Sequence, residues 1–207
     1  MMIIIMNFGC MSEFLATRVL SLRQVFSVMV GVMVMVIASH LSLDNLGPVP
    51  FTFQNAGVHI LALTLPPGRA ALSILLWITW GILGAPVFAL FHSGAEKICG
   101  VTGGYFIGML LAAPLMSLCQ FRWAKFWNSL CSRKQNSDES LNFLASIAVG
   151  IMGSMVILFC GWAYLGWMRG YAFAFKHGVV LFLLPSVLKI VLSSLIIKRF
   201  NISKIGL

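Results

Sequence analysis

"VVLFLLPSVLKIVLSSLII", residues 179–197, carries one ionisable side chain, Lys189, in an otherwise apolar or small-polar run. A helix needs about 20 such residues to cross the hydrocarbon of a bilayer, and this stretch supplies them. The chain around it repeats the theme: of 207 residues, 60% are hydrophobic and only 9% are charged. No soluble core of this size requires so much apolar surface, so lipid is the solvent this sequence is written for.

Working outward, further apolar stretches fall at about 24–42, 51–65, 70–91, 98–119 and 141–166. With 179–197 they predict an all-α, polytopic integral membrane protein of six transmembrane helices, forming a single transmembrane domain over residues 1–207. The second stretch is short and reaches across only with its polar N-terminal turn. The breaks are chemically explicit: Asp44 to Pro48, then Pro66-Pro67-Gly68-Arg69, then His92-Ser93-Gly94, the charged connection Gln120 to Ser140, and Arg169-Gly170 to His177-Gly178. Gly and Pro end helices by permitting positive φ or by removing a donor.

The charges orient these spans. With the N-terminus inside, the inner segments hold Arg18, Arg23, Arg69, Arg122, Lys125, Arg133, Lys134, Lys198, Arg199 and Lys204; the outer ones hold Lys97, Arg169 and Lys176. Ten against three places both termini in the cytoplasm. The net charge of +9 then reflects topology and not a nucleic-acid surface. The apolar start MMIIIMNFGCM is too short to span and lacks a positive n-region, so initiation is expected near Met11. Cys10, Cys99, Cys119, Cys131 and Cys160 show no metal-ligand spacing, and they read as small apolar packing residues.

Lys189 is the anomaly. The acidic residues Glu13, Asp44, Glu96, Asp138 and Glu139 all lie outside the expected spans. A cation at the bilayer centre costs about 2.5–3.5 kcal/mol on insertion scales, and such residues usually serve function. Ser186, Lys189 and Ser193 are spaced i, i+3, i+7 and share one helix face. If no residue supplies the anion, a ligand with a carboxylate or a strong carbonyl acceptor can. The alternative is a Lys that snorkels or bonds backbone carbonyls freed by Pro185.

Other stretches fit a cavity. In the third span Trp77, Gly81, Gly84 and Phe88 follow a 4-3-4 spacing, which puts two glycines between two aromatics on one face. The glycines suit close helix packing, and the aromatics suit a pocket wall. "GVTGGYFIG", residues 100–108, is no P-loop, and no GxxxxGK[ST] occurs in the chain. Gly103 and Gly104 at a helix mouth let backbone approach a ligand, while Gly104 and Gly108 form a GxxxG that suits helix packing equally. Tyr105 offers an apolar ring with a hydrogen-bonding tip. "GPVPFTFQNAGVH", residues 47–59, places Thr52, Phe53, Gln54 and Asn55 behind Pro48 and Pro50, at the start of the second helix. Thr52 either caps that helix or meets a ligand, whereas the Gln54 amide can donate and accept together. His59 reads as structural, bonded to Asn55 or to a neighbouring helix. No acid pair and no nucleophile–base motif occupies the spans, so an intramembrane enzyme is disfavoured.

Together "GPVPFTFQ" (47–54), "GILGAPVF" (81–88), "GVTGGYFIG" (100–108) and "PSVLK" (185–189) resemble the signature segments of BioY, the biotin-specific S component of energy-coupling factor (ECF) transporters. The resemblance is densest from Ser42 to Gly108. It implies a six-helix subunit in the bacterial cytoplasmic (inner) membrane that captures biotin on the outer side, with no cofactor. It implies as partners a transmembrane T component and two cytoplasmic ATPases, and it makes this chain no enzyme. The substrate would then meet Lys189, Ser186, Gln54, Thr52, Phe53, Phe88, Thr102, Gly103, Gly104 and Tyr105. Family members typically carry Asp where this chain has Ser186, so the usual Asp–Lys pair is broken. S components also tend to carry an AxxxA-type pattern in the first helix for docking the T component; here only Ser27-xxx-Gly31 and Ala38-Ser39 approximate it. The alternative function is a stand-alone or facilitated transporter for biotin or another small carboxylated vitamin.

Overall fold

In the computed structural model, residues 21–43, 51–130 and 139–200 are described. A capping box opens α1 (Leu22–His40): the Ser21 hydroxyl accepts from the Gln24 amide, and the Gln24 side chain accepts from Ser21 N at 3.0 Å. Two orphan donors are satisfied reciprocally. Beyond Leu41 the chain makes a short antiparallel pair, β1 (Ser42–Leu43) with β2 (Phe51–Thr52), in which Ser42 faces Thr52 and Leu43 faces Phe51. Pro48 and Pro50, read as turn residues, lie outside the described residues, as do residues 1–20 and 201–207 and the centre of the Gln120–Ser140 connection.

This pairing corrects one expectation. Thr52 belongs to a strand, and the next helix, α2 (Gln54–Thr64), begins after it. The backbone of residues 51–53 is already committed, because β2 pairs with β1 and Phe53 N donates to Leu41 O at 3.0 Å. After Leu65, Pro67 occupies the first turn of α3 (Pro67–Ile82), where a missing N–H costs nothing.

The third expected span does not run to residue 91. α3 ends at Ile82; Gly84 takes φ +100, and Pro86 disfavours helical geometry at Ala85. The chain folds back through Phe88 and a 3₁₀ turn at Ala89–Phe91, then Gly94 at φ +95 leads into α4 (Ala95–Cys99). Trp77, Gly81, Gly84 and Phe88 therefore do not share one helix face. α5 (Gly103–Leu130) and α6 (Glu139–Arg169) form the longest pair. The break expected at 169–178 shrinks to a corner at Gly170, φ +94. From there α7 (Tyr171–Ala174), a π-helical turn (Phe175–Val180) and α8 (Leu181–Phe200) run on, so Lys176 and His177 are helical and not in a loop.

Four helical segments among the described residues are long and apolar enough to cross a membrane: Leu22–His40, Gly103–Trp123, Asn142–Arg169 and Tyr171–Arg199. The protein is an all-α, multi-pass membrane protein, with one short antiparallel strand pair among the described residues. α2 and α3, with 11 and 16 residues, reach only about 16 and 24 Å at 1.5 Å per residue. α2 is short because it is internal, packed against α1, α5 and α8. Most of its residues are buried, among them Val58, His59, Leu61 and Ala62.

Small residues set the helix spacing. A Cβ at Gly104 would overlap the Cys160 carbonyl and Tyr164 Cβ, and one at Gly108 would sit 2.8 Å from Ile157 Cα. The GxxxG of α5 thus packs on α6. On α1, a Cβ at Gly31 would run into Ser73, Ser27 accepts from Arg69 at 3.1 Å, and Ala38 receives Gly57. Ser39 is fully buried. Gly31, Ala38 and Ser39 are therefore turned inward and Ser27 is half-buried, while α1 presents Leu22, Phe26, Met33 and Ile37 outward.

Candidate functional site

A cavity of about 460 Å³ lies between β2, the start of α2, the returning chain after α3, the α4–α5 junction and α8. That is within the range of small-molecule sites. Thr52, Gln54, Phe88, Thr102, Tyr105 and Lys189 all line it. Four separate chain segments, 52–54, 88, 102–105 and 189, converge to supply these six side chains.

Lys189, 3% exposed, reaches from the middle of α8 to the hairpin. Its Nζ donates to the Thr52 carbonyl oxygen at 2.6 Å and lies 3.7 Å from the centre of the Phe51 ring. The Phe53 ring is 5.4 Å away. The carbonyl thus comes from β2, and not from the carbonyl that Pro185 frees. An ammonium has three donors, so this one bond leaves it capacity for a ligand. The aromatic faces supply the cation–π attraction that a desolvated ammonium needs.

Beside it runs a polar chain. Thr52 Oγ1 donates to Gln54 Oε1 at 3.1 Å, Gln54 Nε2 donates to Ser39 Oγ at 3.2 Å, and Ser39 Oγ donates to Met35 O at 2.7 Å. Gln54, buried at the head of α2, is oriented by both contacts and keeps one amide hydrogen uncommitted.

The apolar wall is aromatic. Trp77, Phe88 and Phe106 meet mutually at centroid distances of 5.0–5.4 Å. Trp77 Nε1 donates to Val87 O at 2.9 Å, which pins the returning chain just before Phe88. The Phe88 ring fills the space above Gly81, where any Cβ would collide with it. Gly81 is thus a seat for Phe88 formed across a chain reversal. Tyr105 is held similarly: its ring lies over Gly161 of α6, and its hydroxyl donates to Gly178 O at 2.9 Å in the π-helical turn. Thr102 Oγ1 donates to Lys97 O at 2.9 Å and closes the α4–α5 junction.

Four of the expected residues stand elsewhere. Gly103 and Gly104 do not line the cavity; a Cβ at Gly103 would overlap the Ile98 carbonyl, and Gly104 faces α6. Phe53 contacts the Phe51 ring edge-on at 6.1 Å and touches the site through Lys189. Ser186 is buried on the Lys189 face, but its hydroxyl has no hydrogen-bond partner among the described residues and does not line the cavity. Ser193 is engaged with His59, whose Nδ1 lies 2.6 Å from its Oγ and whose Nε2 lies 2.9 Å from Ser146 O. His59 is therefore a strut between α2, α6 and α8, and Asn55 faces the cavity instead of His59. Sequence reasoning also left out of the site Phe106, Phe182, His92, Glu96 and Lys97. Phe106 follows Tyr105 within the same motif and was within reach; Phe182, which stacks on Phe51 at 6.5 Å, carries no local signal.

With this geometry in view, comparisons place the chain among known proteins. A model described as "BioY family" matches residues 11–204. A protein of Pyrococcus horikoshii named "Probable biotin transporter BioY" is 32% identical over 157 residues, 76% of this chain and 83% of the relative. Its namesake in Rickettsia prowazekii is 28% identical over 182 residues, 88% of this chain and 84% of the relative. The "Biotin transporter BioY" of Thermotoga maritima is 29% identical over 181 residues, 87% and 96%. The fold matches the crystal structure of the S-component for biotin from an ECF-type ABC transporter with a TM-score of 0.66. That match has 20% identity and covers 86% of this chain and 90% of the other.

Proposed function

This chain belongs to the BioY family, and from that premise we propose that it binds biotin in the cavity beneath the hairpin, as the substrate-capturing S component of an ECF transporter in the bacterial cytoplasmic membrane. The observation that carries the proposal is the convergence of Lys189, Gln54 and an aromatic wall on one cavity. Biotin offers an anionic carboxylate and a ureido group that donates and accepts, joined by apolar rings and chain. Lys189 supplies a desolvated cation with free donors, and Gln54 a buried amide with a free hydrogen. Phe88, Phe106 and Tyr105 supply apolar contact. We place Thr52 and Thr102 at the polar rim, with Phe53 and Ser186 supporting Lys189 and with Gly103 and Gly104 holding the helix that carries Tyr105.

In this reading the chain crosses the membrane six times with both termini cytoplasmic, α2 and α3 completing the count within the bundle. The site opens outward, and a T component with two ATPases drives import. One observation favours the second reading, uptake without such partners: of the small residues that approximate the T-component docking pattern, Gly31, Ala38 and Ser39 are packed inside, against α2 and α3.

The test is ligand identification on the purified protein by mass spectrometry, followed by titration with biotin, biotin methyl ester, a ureido-modified biotin and an unrelated apolar acid. Biotin is expected to be found and to bind, with the two analogues penalised unequally; the larger penalty marks the end Lys189 serves. Equal affinity for all four compounds removes biotin. Uptake that persists in cells lacking every ECF ATPase selects the second reading.

A further inference from the structure

His40 ends α1 within reach of the chain that forms the cavity wall. Its Nδ1 lies 2.7 Å from Val36 O, one turn back, and its Nε2 lies 3.1 Å from Pro86 O. Both partners are carbonyls, which only accept. A neutral imidazole has one N–H, and only the protonated ring has two. The neutral ring carries its one hydrogen on either nitrogen. The shorter contact, 2.7 Å to Val36 O within the same helix, favours Nδ1. The Nε2 lone pair then faces the lone pairs of Pro86 O, which weakens the tie to the wall.

The tie matters because Pro86 leads into the cavity wall. The next carbonyl, that of Val87, is held from α3 by Trp77 at 2.9 Å. Together the two bonds set the entry to Phe88, Ala89 and Leu90, which line the cavity. Leu90 and Phe91 have φ of 58° and 59°, left-handed geometry that residues with a Cβ adopt only when held. The Phe91 ring packs against the His40 ring at 4.1 Å. The neighbouring Leu41 carbonyl holds Phe53 N, so this one end of α1 anchors both the hairpin and the returning wall.

We propose that His40 is a positioning residue that holds the Pro86–Phe91 wall against the occupied cavity most firmly when its imidazole is protonated and donates to Val36 O and Pro86 O together, so that bound substrate is released more slowly at acidic pH. The substrate is the biotin of the proposed function, and the inference rests on that reading for the ligand alone. The titratable side chains on the elements packed against α1 are otherwise engaged. His59 bonds Ser193 and Ser146, and Arg69 at the far end of α3 bonds Ser27. His92 Nδ1 contacts Ala89 O, and Glu96 lines the cavity from α4. The test leaves both His92 and Glu96 in place.

Three forms of the full chain in nanodiscs serve: the parent, H40Q and H40F. The Gln Nε2 replaces the ring Nε2 as a donor to Pro86 O at every pH; Phe keeps a ring on Phe91 and donates nothing. Biotin dissociation is measured at about pH 5.5 and about pH 8, either side of the range in which imidazoles titrate. Hydrogen exchange of residues 83–94 without ligand, taken as a ratio between forms at each pH, reads the wall directly. The parent is expected to release biotin about tenfold more slowly at the lower pH, the scale of one hydrogen bond to a charged group. H40Q is expected to be slow at both pH values and H40F fast at both, with wall protection following the same order. A parent whose release and protection do not change with pH, or an H40Q that keeps the full pH dependence, overturns the proposal. If H40F does not fold, the H40Q comparison alone decides. Wall protection that follows the expected order in a protein that binds no biotin would fail the function reading and leave the His40 device standing.

Discussion

Lys189 and Thr52 are 137 positions apart, yet the Lys189 ammonium donates to the Thr52 carbonyl oxygen at 2.6 Å. The bond joins the midpoint of the last helix to a two-residue strand, and it does so over the face of Phe51. Through it a buried cation is stabilised with no acidic partner among the described residues. One side of the cavity is also closed by the same contact.

Replacing Lys189 with Leu separates its two roles. The loss of a buried cation recovers about 2.5–3.5 kcal/mol of insertion cost. The lost charge-assisted bond costs about 1.5–3 kcal/mol. Thermal stability without ligand is therefore expected to change little. Biotin affinity is expected to fall by about 2–5 kcal/mol, the cost of truncating a desolvated charge partner. Excess biotin should raise the melting temperature of the parent and not of the variant. An unchanged affinity would reduce Lys189 to a strut.

The glycines reverse the order that the sequence suggests. Gly104 reads as a place where backbone meets ligand or, equally, as half of a packing GxxxG, and Gly81 chiefly as helix packing. In the fold, Gly104 abuts Cys160 and Tyr164 of α6, whereas Gly81 seats Phe88. Gly81→Ala is expected to push Phe88 toward the cavity and weaken biotin binding while α5 and α6 stay packed. Gly104→Ala should instead lower the melting temperature, since overpacking costs about 1–3 kcal/mol. Paired titration and thermal unfolding of the two variants check this; a binding defect confined to Gly104→Ala would contradict it.

Tyr105→Phe removes only the hydroxyl. The Gly178 carbonyl then loses its donor inside the bundle, at a cost of about 1–3 kcal/mol. The ring remains over Gly161, so the apolar wall is kept. Stability is expected to drop, with faster hydrogen exchange in residues 175–180, and biotin affinity should change less than in Lys189→Leu.

Orientation is tested with single cysteines. In a background lacking the native cysteines, because Cys99 is itself exposed, a Cys at Ser93 should react with an impermeant thiol reagent in intact cells. A Cys at Asn136 should not. The opposite pattern would turn the cavity toward the cytoplasm and remove outward capture.

The sequence by itself determined the solvent, the helical class and the chemistry available. Apolar runs near the length of a bilayer, and a lone Lys189 among them, report directly on where residues can sit, because burying charge and backbone in lipid is costly. Gln54, Phe88 and Tyr105 were legible as candidates from their chemistry and their place at Pro- and Gly-marked segment ends, Thr52 was open between capping and ligand contact, and Thr102 entered only through the family resemblance. Only the tertiary structure decided how they meet. Gly84 and Pro86 stop α3 early and turn Phe88 back over Gly81, so a helical spacing that looked like one face is a contact across a reversal. The hairpin takes Thr52 out of α2 and offers its carbonyl to Lys189. Gly104 and Gly108 of α5 face α6 because the two helices meet there with no room for a Cβ. Periodicity and composition describe each segment against its solvent; which carbonyl, ring or glycine from a distant segment stands opposite is set by the angles of a few chain reversals, and those are fixed only when every helix has packed.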